Sequence, residues 1–511
     1  MNRKLTAGAA AATLAFTLSA CGGGSSTDAP ADPNAVVNVA TRQTPSSLDP
    51  CAGNSGYDLT YLKLLYAPLI DIDPATLKPL PGIASSWEFA GPEKLTFTVK
   101  IRPGMTFHDG TPVDADAVKA SMQHCLGTGL VPVPSITGID VVSADTVSIR
   151  LNKPTSGMPG YLSSRLGFIV SPTALKQHGD NFANHPVGAG PYEFTRAVPN
   201  SEYSFARFAG YRPVSDPAPK AAGIDIKIVT SDTAMTNALT SGTADYAFGI
   251  GESATPPLER NPDITLERTP QLGFTAIVIN TKNSPVNNPK VRLAMEYALD
   301  RKAIANAVLN SNTGTPAWSL YPPGTTFHDP QSDNAWPYNP DKARQLLAEA
   351  GYPNGLTIRG ISAALPPFST NAVVVSEQWK KVGIDVNFVN VPGAQAISQF
   401  VAHNAAELFS VGWPSQWSAP LNYSALLGPT SYYRQNAEPN PDITRLIDKL
   451  NDTYTDAEQL AVVKEINRIV VAQAEFIPLY HAPAVAAYTR RVKGVVPSLN
   501  GSPELVYLAV S

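Results

Sequence analysis

"LTFTVKIRPGMTFHDGTPVDADAVKASM", residues 95–122, carries a strand, two turns and a helix start in uninterrupted order. Leu95, Phe97, Val99 and Ile101 alternate with Thr96, Thr98, Lys100 and Arg102, the period-two pattern of a half-buried strand. Pro103, with its fixed φ, and Gly104, which tolerates φ > 0, end the strand, and His108-Asp109-Gly110 supplies a second turn. His108 reads as a turn residue. Thr111 offers an N-cap hydroxyl, Pro112 suits the first helical position, and Asp114 and Asp116 place negative charge at the positive end of the helix dipole. The spacing predicts a helix over 112–124.

This segment resembles the signature region of the family 5 extracellular solute-binding proteins of ABC importers, the group containing peptide- and nickel-binding receptors. Further matches follow in order along residues 36–511. "SSLDP" at 46–50 resembles the family's Leu-Asp-Pro loop, and "GAGPY" at 188–192 its Gly-Thr-Gly-Pro-Tyr with Ala189 in place of Thr. "LGFTAIVINTKNSPVNNPKVRLAMEYALDRKAIANAVL" at 272–309 resembles the passage into the family's other lobe, and "YNPDKARQLLAEAGYPNGLTI" at 338–358 is a further close match. The resemblance implies an α/β fold of two periplasmic-binding-protein-like lobes with mixed sheets around a central ligand cleft. The expected first lobe is 36–270 plus 483–511 and the second 271–482, joined by two crossing strands.

The residues themselves point the same way. A chain of 511 residues with 43% hydrophobic and 16% charged residues can bury large cores. Its formal net charge of −4, with no Lys/Arg run longer than two, excludes a phosphate backbone as a natural partner. Short strands alternate with helices at Ile224–Val229, Thr233–Thr240 and Ala244–Gly249, and again from Pro340 to Val389. A hairpin is expected over Ile139–Leu151, a short helix ending at Trp87, amphipathic helices over Asp442–Asn451 and Asp456–Ala474, and a return to the first lobe from Ala484. Asn339, Pro340 and Gly351 read as N-cap, first helical residue and C-terminal stop. Asp300 and Arg301 read as cap and bridge at a helix break.

Arg3 and Lys4 followed by the small, mostly apolar run 5–20 form a targeting segment. Leu18-Ser19-Ala20-Cys21 resembles the bacterial lipobox, which makes 1–20 a signal peptide and Cys21 the lipidation site. An ordinary secretory signal with a chance Cys is the alternative. Residues 21–35 lack apolar periodicity and read as a flexible tether. Cys51 and Cys125 are then the remaining thiols of an exported chain, and both a disulfide and two buried free thiols fit them.

Catalytic templates fail individually. There is no His-Glu-x-x-His or Gly-x-Ser-x-Gly, and the seven histidines show no metal-ligand spacing. Gly188 and Gly190 are no phosphate loop, since no Lys follows. The expectation is therefore no enzyme, no cofactor and no resident metal. The stretch that carries specificity is "FSVGWPSQWSAPLNYSALL", 409–427. It resembles the family's Gly-Trp loop, which in peptide receptors lines the cleft and includes an Asp that pairs with the peptide's α-amine. Gly412, Trp413 and Pro420 match; Gln416 stands where that Asp would. Trp413, Trp417 and Tyr423 are candidate aromatic walls, with ordinary core packing the competing role for each.

The expected function is capture of a peptide or peptide-like solute for a membrane permease with cytoplasmic ATPases, outside the cytoplasmic membrane. A glycoside or metal chelate as solute, a stand-alone surface receptor or adhesin, and a lipoprotein hydrolase are the alternatives.

Overall fold

The structure is a computed structural model that describes residues 30–511 apart from 54, 132, 134, 214–217, 230, 311–312, 415, 430, 432 and 434–437. The targeting segment and Cys21 lie outside the described residues. Two large mixed sheets organise the chain. The first has seven strands in the order Ile264–Thr269, Ala484–Thr489, Tyr246–Phe248, Val36–Thr41, Gly223–Ile228, Glu202–Arg207 and Tyr192–Val198. Val36–Thr41 is its centre and runs parallel to both neighbours, Gly223–Ile228 and Tyr246–Phe248. Side chains alternate across a strand, so Val37 and Val39 enter one core with Phe205 and Ile226 while Ala40 enters another with Met235 and Ala487.

The second sheet has six strands, Thr315–Pro316, Ile477–His481, Phe274–Ile279, Leu408–Trp413, Leu356–Ala363 and Ile384–Val391. Phe274–Ile279 is buried along its whole length: Ile277 and Ile279 face one helical layer, Phe274 and Ala276 another. An apolar run without alternation fits a strand covered on both sides. Burying each such side chain contributes roughly 1.5–3 kcal/mol.

A third, four-stranded antiparallel sheet contains the alternating strand of the signature segment: Ala84–Ala90, Thr96–Ile101, Thr146–Leu151 and Ile136–Ser143. Phe97, Val99, Val147 and Ile149 pack there with Val118 and Met122 of the helix Ala115–Thr128. Two expectations need correcting. The helix starts three residues late, because the Thr111 hydroxyl bonds Asp109 Oδ1 and Val113 N bonds Met105 O, which folds 111–113 into the turn. Asp114 becomes the N-cap, accepting from Ala117 N at 2.9 Å, and Gly129, at φ +70°, ends the helix. The expected short helix ending at Trp87 is a strand. Trp87 and Phe89 reach the core on alternate positions, and Ala84–Ala90 pairs with Thr96–Ile101.

The chain leaves the seven-stranded sheet at Thr269 and enters the six-stranded one at Phe274; it returns between His481 and Ala484. These two crossings are tied together. Gln271 Nε2 donates to Ala482 O at 2.7 Å, and His481 Nδ1 lies 3.2 Å from Gly273 O. Burial pushes the His481 pKa down to about 4, so its ring is neutral where it meets that carbonyl. Among the described residues, no helix is long and apolar enough to cross a membrane.

Candidate functional site

In open α/β sheets, ligands sit beyond the carboxyl ends of parallel strands, where connections leave in opposite directions. Each large sheet has one such place. In the first it follows Thr41, where the chain enters a loop up to Asp58. Asp58 is fully buried, and it accepts from Ser46 N at 2.5 Å, Ser46 Oγ at 2.8 Å, Ser55 N at 3.2 Å and Arg165 Nη2 at 2.7 Å. Arg165 also donates to Pro50 O at 3.2 Å and Ser55 O at 2.6 Å. One buried ion pair with its hydrogen bonds satisfied thus fixes the loop. A side chain at Gly53 would collide with Asp58, which explains a glycine there.

In the second sheet the equivalent place follows Trp413, and here the Gly-Trp loop emerges. The two places meet: Trp417 Nε1 donates to Ser163 Oγ at 3.0 Å, two residues from Arg165. Behind this contact the helix Ala419–Leu427 approaches Gly157 and Gly160. A Cβ at Gly160 would come within 2.9 Å of Ser418 Cβ, and one at Gly157 within 3.4 Å of Leu421 N. Beside Trp417 lies a cavity of about 140 Å³, walled by Leu77, Pro159, Leu272, Tyr321 and Phe327 from both sides of the cleft. At about 30 Å³ per water, that holds a few waters or one side chain. Lys78 and Asp456, both exposed, stand at its rim.

The four candidate residues have different fates. Trp417 is half-buried and lines the cavity. Gln416 is half-buried in the same loop; its Nε2 donates to Pro414 O at 3.4 Å, and its backbone O accepts from the Tyr321 hydroxyl at 2.9 Å. Trp413 is buried, with Nε1 donating to Asn422 Oδ1 at 2.8 Å and its ring edge-on to Tyr433. Tyr423 is fully buried and donates to Asn467 Oδ1 at 2.7 Å, so it takes the core role, not the wall. Ser163, Tyr321 and the Asp58–Arg165 pair gave no sequence signal of their own. Only "SSLDP" flagged their neighbourhood, because contacts between segments 95 or more residues apart leave no periodic trace. The structure joins Cys51 to Cys125 in a disulfide.

Comparison with known proteins adds three findings. The family model described as "Bacterial extracellular solute-binding proteins, family 5 Middle" matches residues 78–434. The chain is 28% identical over 475 residues to the glutathione-binding protein GsiB of Shigella flexneri serotype 5b, covering 90% of this chain and 91% of the relative. Among solved structures, the dipeptide-binding protein of Pseudoalteromonas sp. SM9913 in complex with Met-Leu superposes with a TM-score of 0.81 at 22% identity, covering 93% and 100% of the two chains. The binding protein AgaA of A. tumefaciens R10 in complex with agropinic acid gives 0.78 at 24% identity, covering 93% and 99%.

Proposed function

The chain belongs to the bacterial extracellular solute-binding proteins of family 5, and from that premise we propose that it captures a peptide or peptide-like solute between its lobes. It hands the solute to an ABC permease driven by cytoplasmic ATPases. Members of this family are transport receptors, not enzymes. The observation that supports the reading most is the meeting of the Trp417 loop with the Ser163–Arg165 brace, each beyond the carboxyl end of its own parallel strands. We take the lobes as 36–270 plus 483–511 and 271–482, with 270–273 and 481–483 as the hinge. Closure about such a hinge reports occupancy to a partner. Lipidation at Cys21 would hold the receptor at the outer face of the cytoplasmic membrane.

Gln416 narrows the ligand. A buried ammonium without a charged partner typically loses about 2–5 kcal/mol. Gln416 accepts a hydrogen bond but brings no charge, so the cleft favours solutes that present a neutral polar group there, blocked or cyclic peptides first. Relatives bind glutathione, a dipeptide and agropinic acid, a chemically wide set. The second reading, a glycoside or metal chelate, is favoured by the same neutrality. Mass spectrometry of the solute retained by natively purified protein identifies the class, and calorimetry on matched free and N-acetylated peptides tests it. Equal or tighter binding of the acetylated peptide is expected; strong dependence on a free N-terminus contradicts the reading of Gln416.

A further inference from the structure

Asp49 and Cys51, in the loop after the central strand of the first sheet, meet His124 near the end of the helix Ala115–Thr128. A carboxylate oxygen, a sulfur and an imidazole nitrogen lie within 4.8 Å of one another, and Asp49 Oδ2 is 3.1 Å from His124 Nε2. Cys125 Sγ lies outside that group of three; it is bonded to Cys51 and follows His124 directly in sequence, so opening the bond frees it to turn in as a fourth donor. We infer that this disulfide caps a latent zinc site: when it is reduced, Cys51, Cys125, His124 and Asp49 bind one Zn²⁺.

Three features carry the inference. The donor set of two thiolates, an imidazole and a carboxylate is one that Zn²⁺ takes in tetrahedral sites. The loop does not depend on the disulfide for its shape, since Asp58 and Arg165 bind it at Ser46, Pro50 and Ser55, and Asp49 Oδ1 accepts from Cys51 N at 2.8 Å. Asp49 and Cys51 therefore keep their place beside His124 after reduction. The half-exposed His124 gives a route in, while Asp49 and both cysteines are buried, which shields the bound ion. In the opening step a dithiol breaks the Cys51–Cys125 bond and closes to its own cyclic disulfide. Two electrons and two protons pass to the cysteines, and each thiol releases its proton to solvent as it takes the metal. Oxidation reverses this and expels the ion, so metal and disulfide are mutually exclusive.

The test uses Co²⁺ as the probe for Zn²⁺, on the full chain in two forms: oxidised, and reduced by a dithiol, with the two thiols counted by alkylation and mass. The reduced protein should bind one Co²⁺ with the near-ultraviolet absorption of cobalt–thiolate bonds, displaced by Zn²⁺; the oxidised protein should show none. His124→Ala and Asp49→Asn, which keep both cysteines, should weaken binding by more than the about 10–100-fold typical of losing an outer-shell partner. Equal binding by His124→Ala would mean that the thiols alone hold the ion and would overturn the proposal. So would a reduced protein without the band, or a disulfide that no dithiol opens in the folded chain.

Discussion

At the scale of single residues, the proposed role of Gln416 and the burial of Glu296 each make a prediction. Gln416→Asp restores a charge in a half-buried loop, so the ratio of affinities for free over acetylated peptides should rise at least about tenfold, or 1.4 kcal/mol. Calorimetry on both peptides with both proteins reads it, and an unchanged ratio refutes the assignment. Glu296 is fully buried and accepts from Arg301 Nη2; Arg301 also donates to Ala317 O at 3.0 Å and Pro478 O at 2.8 Å. Burial pushes the Glu296 carboxyl up to about 7 against the pull of Arg301. A carboxyl raised in the folded state binds more protons folded than unfolded. Its contribution is therefore complete below the ordinary value of 4.5 and is lost as pH rises through about 7, at about 1.4 kcal/mol for every tenfold gain in proton affinity on folding. Urea midpoints should fall between pH 5 and pH 7.5 by more in the wild type than in Glu296→Gln. Identical slopes would show that burial does not govern this group.

At the scale of elements, the helix Ala419–Leu427 seats closely against residues 157–160 because Gly160 carries no side chain there. Gly160→Val puts a branched side chain where a Cβ already comes within 2.9 Å of Ser418 Cβ. On the proposed division this contact joins two lobes and not one core, so the variant should keep its melting temperature within a few degrees and lose affinity at least about tenfold, as closure is blocked. Wild-type affinity would mean that this face does not close on the solute. Elements also show how far local signals reach. The strand Thr96–Ile101 and the helix Pro340–Glu349, with Asn339 accepting from Lys342 N at 2.9 Å, were legible because alternation and capping are local. Ala84–Ala90 was not: Ala-Ser-Ser-Trp-Glu-Phe-Ala has weak strand propensity, and pairing with Thr96–Ile101 decides its state. Thr111 misled because its hydroxyl had a nearer partner in Asp109 than the helix.

At the scale of the whole molecule, two sheets are linked at 270–273 and 481–483, the proposed hinge, where Gln271 and His481 tie the two crossings together. The α/β alternation exposed both sheets to sequence reading, and the Gly-Trp resemblance drew attention to the loop whose Trp417 meets Ser163. Ser163 itself and the Asp58–Arg165 brace became visible only once the fold brought distant segments together. If Cys21 carries the anchor, Cys21→Ser should move the protein from the membrane to the soluble fraction with its melting temperature unchanged; wild-type protein already wholly soluble would refute the anchor. The central claim is that a solute closes the lobes on each other. Small-angle scattering of solute-stripped protein, before and after adding back the material it retained on purification, tests this most directly. The account predicts a smaller radius of gyration on addition, abolished in Gly160→Val; an unchanged radius in the wild type, with the solute demonstrably bound, would contradict it.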